Sequence, residues 1–209
     1  MIERPYPPVE LRDPTGPERF MPAPDLVSWA RESFIDRDAI LRNEDHAHLG
    51  MATLGALWTN APARSQQRTI VGTAEIPTMR GRPWVKARQE VQMREWFDEP
   101  LPDFVLTFSA PYAVHVDNAS FCALVEHELY HCAQAIDQYG SPKVRKGDGK
   151  PVFAMRGHDV EEFVGIVRRY GPGSAAGDTL ALVEAAKRRP EVAEASIEWA
   201  CGTCLRLVA

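Results

Sequence analysis

Between Asp117 and Tyr139 apolar residues recur every three or four positions, at Phe121, Val125, Leu129, Cys132 and Ile136. That is the period of an α-helix with one buried face, and it conflicts with the two-residue repeat of a strand. Asp117 or Asn118 supplies a cap at its start, while Gly140 and Pro142 set its end near Tyr139. The segment also carries His127 and His131, which are four positions apart and so share a face, well away from the apolar stripe. Two imidazoles placed in this way aim at one point over a cleft. Glu128 falls at the border between the polar and apolar faces.

The run His127-Glu128-Leu129-Tyr130-His131 is an HExxH pattern. Its chemistry follows from the residue types. Zn²⁺ takes neutral imidazoles readily and lowers the pKa of its bound water to about 7, and a nearby carboxylate can then remove the proton. Glu128 is therefore expected to act as general base in a zinc metallopeptidase that hydrolyses peptide bonds of a protein or peptide substrate. A tetrahedral catalytic site needs a third protein ligand, and the candidates lie between Arg156 and Phe163. His158 follows Gly157 and is the favoured donor. Glu161 flanks the apolar stripe Val160, Phe163, Val164 and Val167, and is next. Glu162 lies three residues after Asp159 and has a plain role as a capping partner, so it comes last.

The remaining chain reads as α+β: a zincin-like fold with a small antiparallel sheet packed on the HExxH helix. Three parts are expected: a proline-rich arm over 1–24, a metallopeptidase domain over 25–172 and a helical extension over 173–209. A first helix opens at Pro24-Asp25, with Asp25 as its cap. Met51 to Ile76 reads as a β-hairpin with a long loop. A second helix starts at Pro83, with Trp84, Ala87 and Val91 at helical spacing. Phe104, Leu106 and Phe108 alternate as a strand with one strongly apolar face, ended by Pro111. A hairpin with its tip at Gly147-Asp148-Gly149 follows the central helix, and another helix runs from Asp159 to Tyr170. After Pro190 a short final helix is expected.

A chain of 209 residues with net charge −5 has no global electrostatic reason to bind nucleic acid strongly or to sit on an anionic membrane. It carries no apolar run of the roughly 20 residues needed to span a bilayer, so a soluble, cytoplasmic protein is expected. Four cysteines do not make a disulfide framework.

From the central helix to Gly171, the strings His127-Glu128-Leu129-Tyr130-His131-Cys132 and Gly157-His158-Asp159-Val160-Glu161-Glu162-Phe163 resemble the phage metallopeptidase family. The likeness extends more weakly through Leu57-Trp58 and Ile70-Val71-Gly72. The order of parts is also similar to SprT-like zinc proteases, where a hairpin precedes the metal helix and a later Gly-His segment supplies the third ligand. The resemblance implies His127, His131 and His158 as metal ligands, Zn²⁺ as cofactor and Glu128 as general base, in a host cytoplasm if the chain is phage-encoded. This chain departs from the SprT-like pattern in a longer gap between His131 and His158, and in one extra residue between His158 and Phe163.

Other features are weaker signals. His46 and His48 are two apart, do not share a helix face, and read as a solvated loop. His115 reads as a strand or turn histidine. Tyr112 and Tyr130 are both able, chemically, to donate to a transition-state oxygen. Cys201 and Cys204 form half of a zinc-ribbon pattern without its other half. Two rival functions remain: a non-catalytic zinc-stabilised interaction module, for which loss of Glu128 would be silent, and a protease of DNA-bound proteins, for which DNA binding would be salt-dependent.

Overall fold

The computed structural model describes residues 3–65, 68–160, 164–172, 178–195 and 200–201. The protein is mixed α+β, with one main sheet and a set of helices. The main sheet runs β1 (Phe20–Pro22), β2 (Leu54–Thr59), β5 (Phe104–Ser109) and β4 (Arg68–Glu75), with β3 (Ala63–Ser65) and β8 (Ala200–Cys201) each paired to β4.

The stretch expected to form one hairpin does not do so. β2 and β4 are separated by β5, which pairs parallel with β2 (Leu54↔Phe104 to Thr59↔Ser109) and antiparallel with β4. The tight hairpin joins β3 to β4 instead, with Ala63 opposite Ile70. Every residue of β2 is buried, and so are Phe104, Val105, Leu106 and Phe108 of β5. A strand covered on both faces belongs in the middle of a sheet, and its unbroken apolar text carries no information about its neighbours.

Helix α4 (Asn118–His131) packs across this sheet. Asp117 caps it, its side chain accepting from Ser120 N at 2.9 Å. Phe121, Val125, Leu129 and Cys132 are buried as the stripe requires, and Phe121 stacks at 5.8 Å from the Trp58 ring. The helix stops at His131, eight residues before the expected end at Tyr139. Cys132–Gln134 forms β6, which pairs antiparallel with β7 (Phe153–Met155). Ile136 accordingly lies 65% exposed, and Gly140 adopts its positive φ of 80° in a turn of the hairpin arm rather than at a helix end. Orphaned carbonyls at the helix end find tertiary donors: Arg156 N reaches His131 O at 3.0 Å and His48 Nε2 reaches Cys132 O at 2.7 Å.

Helix α1 (Pro24–Ala30) has Ala23 at its N-cap position with no side-chain cap, Asp25 lies in its first turn instead of capping it, and the helix continues as a π-helical turn over Arg31–Ile35. Helix α2 (Pro83–Trp96) buries no residue, and Trp84 is 90% exposed. Phe97, just past its end, lies over β2: a Cβ added at Gly55 would fall 2.7 Å from its ring, so Gly55 is a place of close approach. Ser109 is followed directly by α3 (Ala110–His115), so Pro111 sits in a helical first turn and His115 at a helix end. Helices α5 (Val164–Tyr170) and α6 (Thr179–Ala186) follow the hairpin. Residues 191–195 form no helix, and Ala200–Cys201 is a strand where a final helix was expected.

The proline-rich arm is strapped down. Arg4 is 3% exposed, donates to Ala113 O (2.9 Å), Val116 O (2.7 Å) and Asn118 Oδ1 (2.7 Å), and covers the Phe121 ring at 4.7 Å. Leu11 is fully buried.

Candidate metal centre

His127 and His131 lie in the last turns of α4, as their spacing requires, and His158 reaches them from beyond β7. The early helix stop is what brings the three together. Because β6 begins at Cys132 and its register sets Cys132 opposite Met155, Arg156 arrives beside His131. The two residues hold each other twice: Arg156 N donates to His131 O, and His131 Nδ1 donates to Arg156 O at 2.7 Å. Nδ1 must carry the proton to make that bond, which turns the Nε2 edge of the ring toward His127. Two residues further on, His158 Nε2 lies 3.1 Å from His127 Nε2, which is in turn 3.3 Å from His131 Nε2.

These separations suit a single metal ion held between the rings. A Zn–N bond of about 2.0–2.1 Å gives a tetrahedral edge of about 3.3 Å. Among the described residues, His127, His131 and His158 form the group whose donor atoms all lie within 4.8 Å of one another. Burial is graded across it: His131 is 2% exposed, His127 half-buried and His158 exposed, so one side of the cluster opens outward. Desolvation, reinforced by the two neighbouring imidazoles, lowers the His127 pKa from 6.5 to about 4. It is neutral at pH 7, the state a ligand needs.

Glu128 is not at a border. It is fully buried beneath β4, where a Cβ added at Gly72 would lie 2.8 Å from its Oε1 and 3.1 Å from Leu124. Only a glycine at this strand position lets the sheet come so close to the carboxylate. Glu161 and Glu162 lie outside the described residues, as does Cys204.

The structure also enlists residues the sequence left aside. His46 and His48 are not in a solvated loop: they belong to a 3-10 segment, Glu44–Met51, packed beside α4, with His46 buried and His48 partly so. His48 holds the end of the metal helix through Cys132 O. His46 is 1% exposed, with its ring 4.6 Å from that of Tyr130 and its Nε2 3.8 Å from Glu126 Oε1. Tyr130 hydrogen-bonds Asn43 (2.8 Å) and Asp45 (3.2 Å) through its hydroxyl, and the Arg156 guanidinium, ion-paired with Asp159, lies over its ring at 5.9 Å. Tyr112 and His115 instead line a cavity of about 630 Å³ with Ile70, Val71, Pro111 and Ser120. That cavity is at the start of α4, about 16 Å along the helix from His131.

Burial, with a smaller push from His48, lowers the His46 pKa from 6.5 to about 4. Below 6.5 the unfolded chain takes up the proton first, so this contribution to stability is complete above about pH 6.5 and is lost as pH falls towards 4. His46→Phe should therefore flatten the fall in melting temperature between pH 7 and 4.5, measured on chelator-treated protein. Parallel curves for the two proteins would mean that His46 does not titrate in this way.

No helix among the described residues is long and apolar enough to cross a membrane. No curated protein and no solved structure matches the chain. The model of one family, described as "Putative phage metallopeptidase", matches residues 27–187, about three quarters of the sequence and all three histidines of the cluster. A metal ion and a protein substrate are what such a family implies, and the chain belongs to it.

Proposed function

We propose that the protein is a zinc-dependent peptidase in which His127, His131 and His158 hold the metal and Glu128 is the general base. The observation that carries this reading is the convergence of three Nε2 atoms at 3.1 and 3.3 Å, two of them from the helix on which a buried carboxylate directly follows His127. Three neutral imidazoles suit zinc and leave a fourth position for water or substrate. Bound there, zinc would lower the pKa of its water to about 7 and polarise the scissile carbonyl.

The chain's own residues supply the rest. Glu128 takes the proton from the attacking water at its carboxylate and returns it to the leaving amine nitrogen. His131, fixed by the Arg156 carbonyl, keeps its tautomer through the cycle. Gly72 lets β4 lie directly against Glu128, so a peptide paired along the outer edge of β4 would bring its backbone to the base. The unit expected to act is 25–172, with the arm and the C-terminal extension flanking it, and a cytoplasmic location suits a reduced, metal-loaded chain.

Metal analysis of protein purified without chelator should return one zinc per chain, and His127→Ala should release it. No zinc before or after reconstitution would remove the basis of this reading.

A further inference from the structure

The strand register places the C-terminal segment of the chain beside Glu128. Gly72 pairs with Phe108 of β5 on one side and with Cys201 on the other, and Ile70 pairs with Ala63 of β3 on one side and with Ala200 on the other. A strand has two edges, so β3 and β5 share one edge of β4 and β8 takes the opposite one. No other strand among the described residues pairs with that outer edge. Gly72 is also the residue against which Glu128 packs. Adjacent strands lie about 4.8 Å apart, so the Ala200–Cys201 backbone runs within one strand spacing of the point where β4 meets the carboxylate.

We propose that the outer edge of β4 is a strand-binding surface and that the chain's own segment at Ala200–Cys201 occupies it in competition with an extended peptide. The chemistry of the surface is main-chain hydrogen bonding, which accepts any unfolded peptide segment. An open edge is a liability for unwanted pairing, and covering it with the chain's own backbone removes that liability. The covering is short: two residues, parallel to β4, with a register shift between Ile70 and Gly72. Such brief pairing is weak enough to be displaced. The identity of the competitor as a substrate rests on the peptidase reading, whereas the docking of the segment does not.

The test uses two changes in the full chain: a stop after Ala195, and the double substitution Ala200→Pro with Cys201→Pro. The second keeps the chain length while removing the amides a ladder needs. Hydrogen exchange of the 68–75 segment is compared in each with the parent. In the Glu128→Gln background, with zinc added, binding of fluorescein-labelled casein is measured by anisotropy. Exchange of this segment should accelerate at least about tenfold in both variants, and casein should bind at least about tenfold more tightly than to the parent. Unchanged exchange in both overturns the docking, and accelerated exchange with equal casein affinity overturns the competition. A shortened chain with Glu128 intact that binds casein more tightly yet never cuts it would sink the peptidase reading and leave the strand competition standing.

Discussion

Glu128→Gln is expected to lower turnover of casein by at least about 100-fold while zinc content stays at the parent level. General-base groups contribute about 10² to 10⁴-fold, so the lower bound corresponds to about 2.7 kcal/mol of barrier. Glutamine keeps the size of the side chain packed beneath Gly72 but cannot take a proton. Because Glu128 is fully buried, thermal unfolding must be recorded beside turnover. Equal turnover in the two proteins would remove Glu128 from the mechanism; if neither protein cleaves casein while both bind zinc, the zinc-stabilised interaction module is the better account.

The second large effect concerns the third ligand. His158→Ala should weaken zinc binding by more than about 100-fold, since even the outer partners of a metal ligand are worth about 10 to 100-fold. Its side chain is exposed, so the metal-free protein should melt within a few degrees of the parent, which separates lost ligation from lost folding. Glu161→Ala and Glu162→Ala should leave affinity nearly unchanged. If Glu161→Ala empties the site and His158→Ala leaves it full, the ligand set is two histidines and a glutamate instead.

Much of the candidate centre was legible because its logic is local. The four-residue spacing of His127 and His131, the cap at Asp117 and the stripe through Cys132 all follow from helix geometry. The parts that were not legible depend on contacts distant in sequence. Ala133 and Gln134 suit a helix by propensity, and only pairing with Phe153–Met155 draws this stretch out as a strand. Burial of Glu128 depends on Gly72, 56 positions away, where a lone glycine within an apolar run was the available hint of a close approach. His46 and His48 were set aside because their spacing excludes a shared helix face, an argument that says nothing of a 3-10 turn packed on another helix. The sheet order was hidden for a different reason: β2 and β5 are apolar on both faces, so neither reveals which strand lies beside it.

The double clasp between His131 and Arg156 separates distance along the chain from distance in space. Both strands of the excursion are pinned at its base, by Cys132↔Met155 and by the Arg156 main chain, whereas Tyr139, Val144 and their neighbours at the far end are exposed. Residues can be added or removed at that far end, symmetrically on the two strands, and His158 still arrives at the same place. The interval between the second and third histidines is thus a length free to drift, and a search pattern that counts a fixed number of residues from His131 will pass over chains that carry the same three-dimensional site.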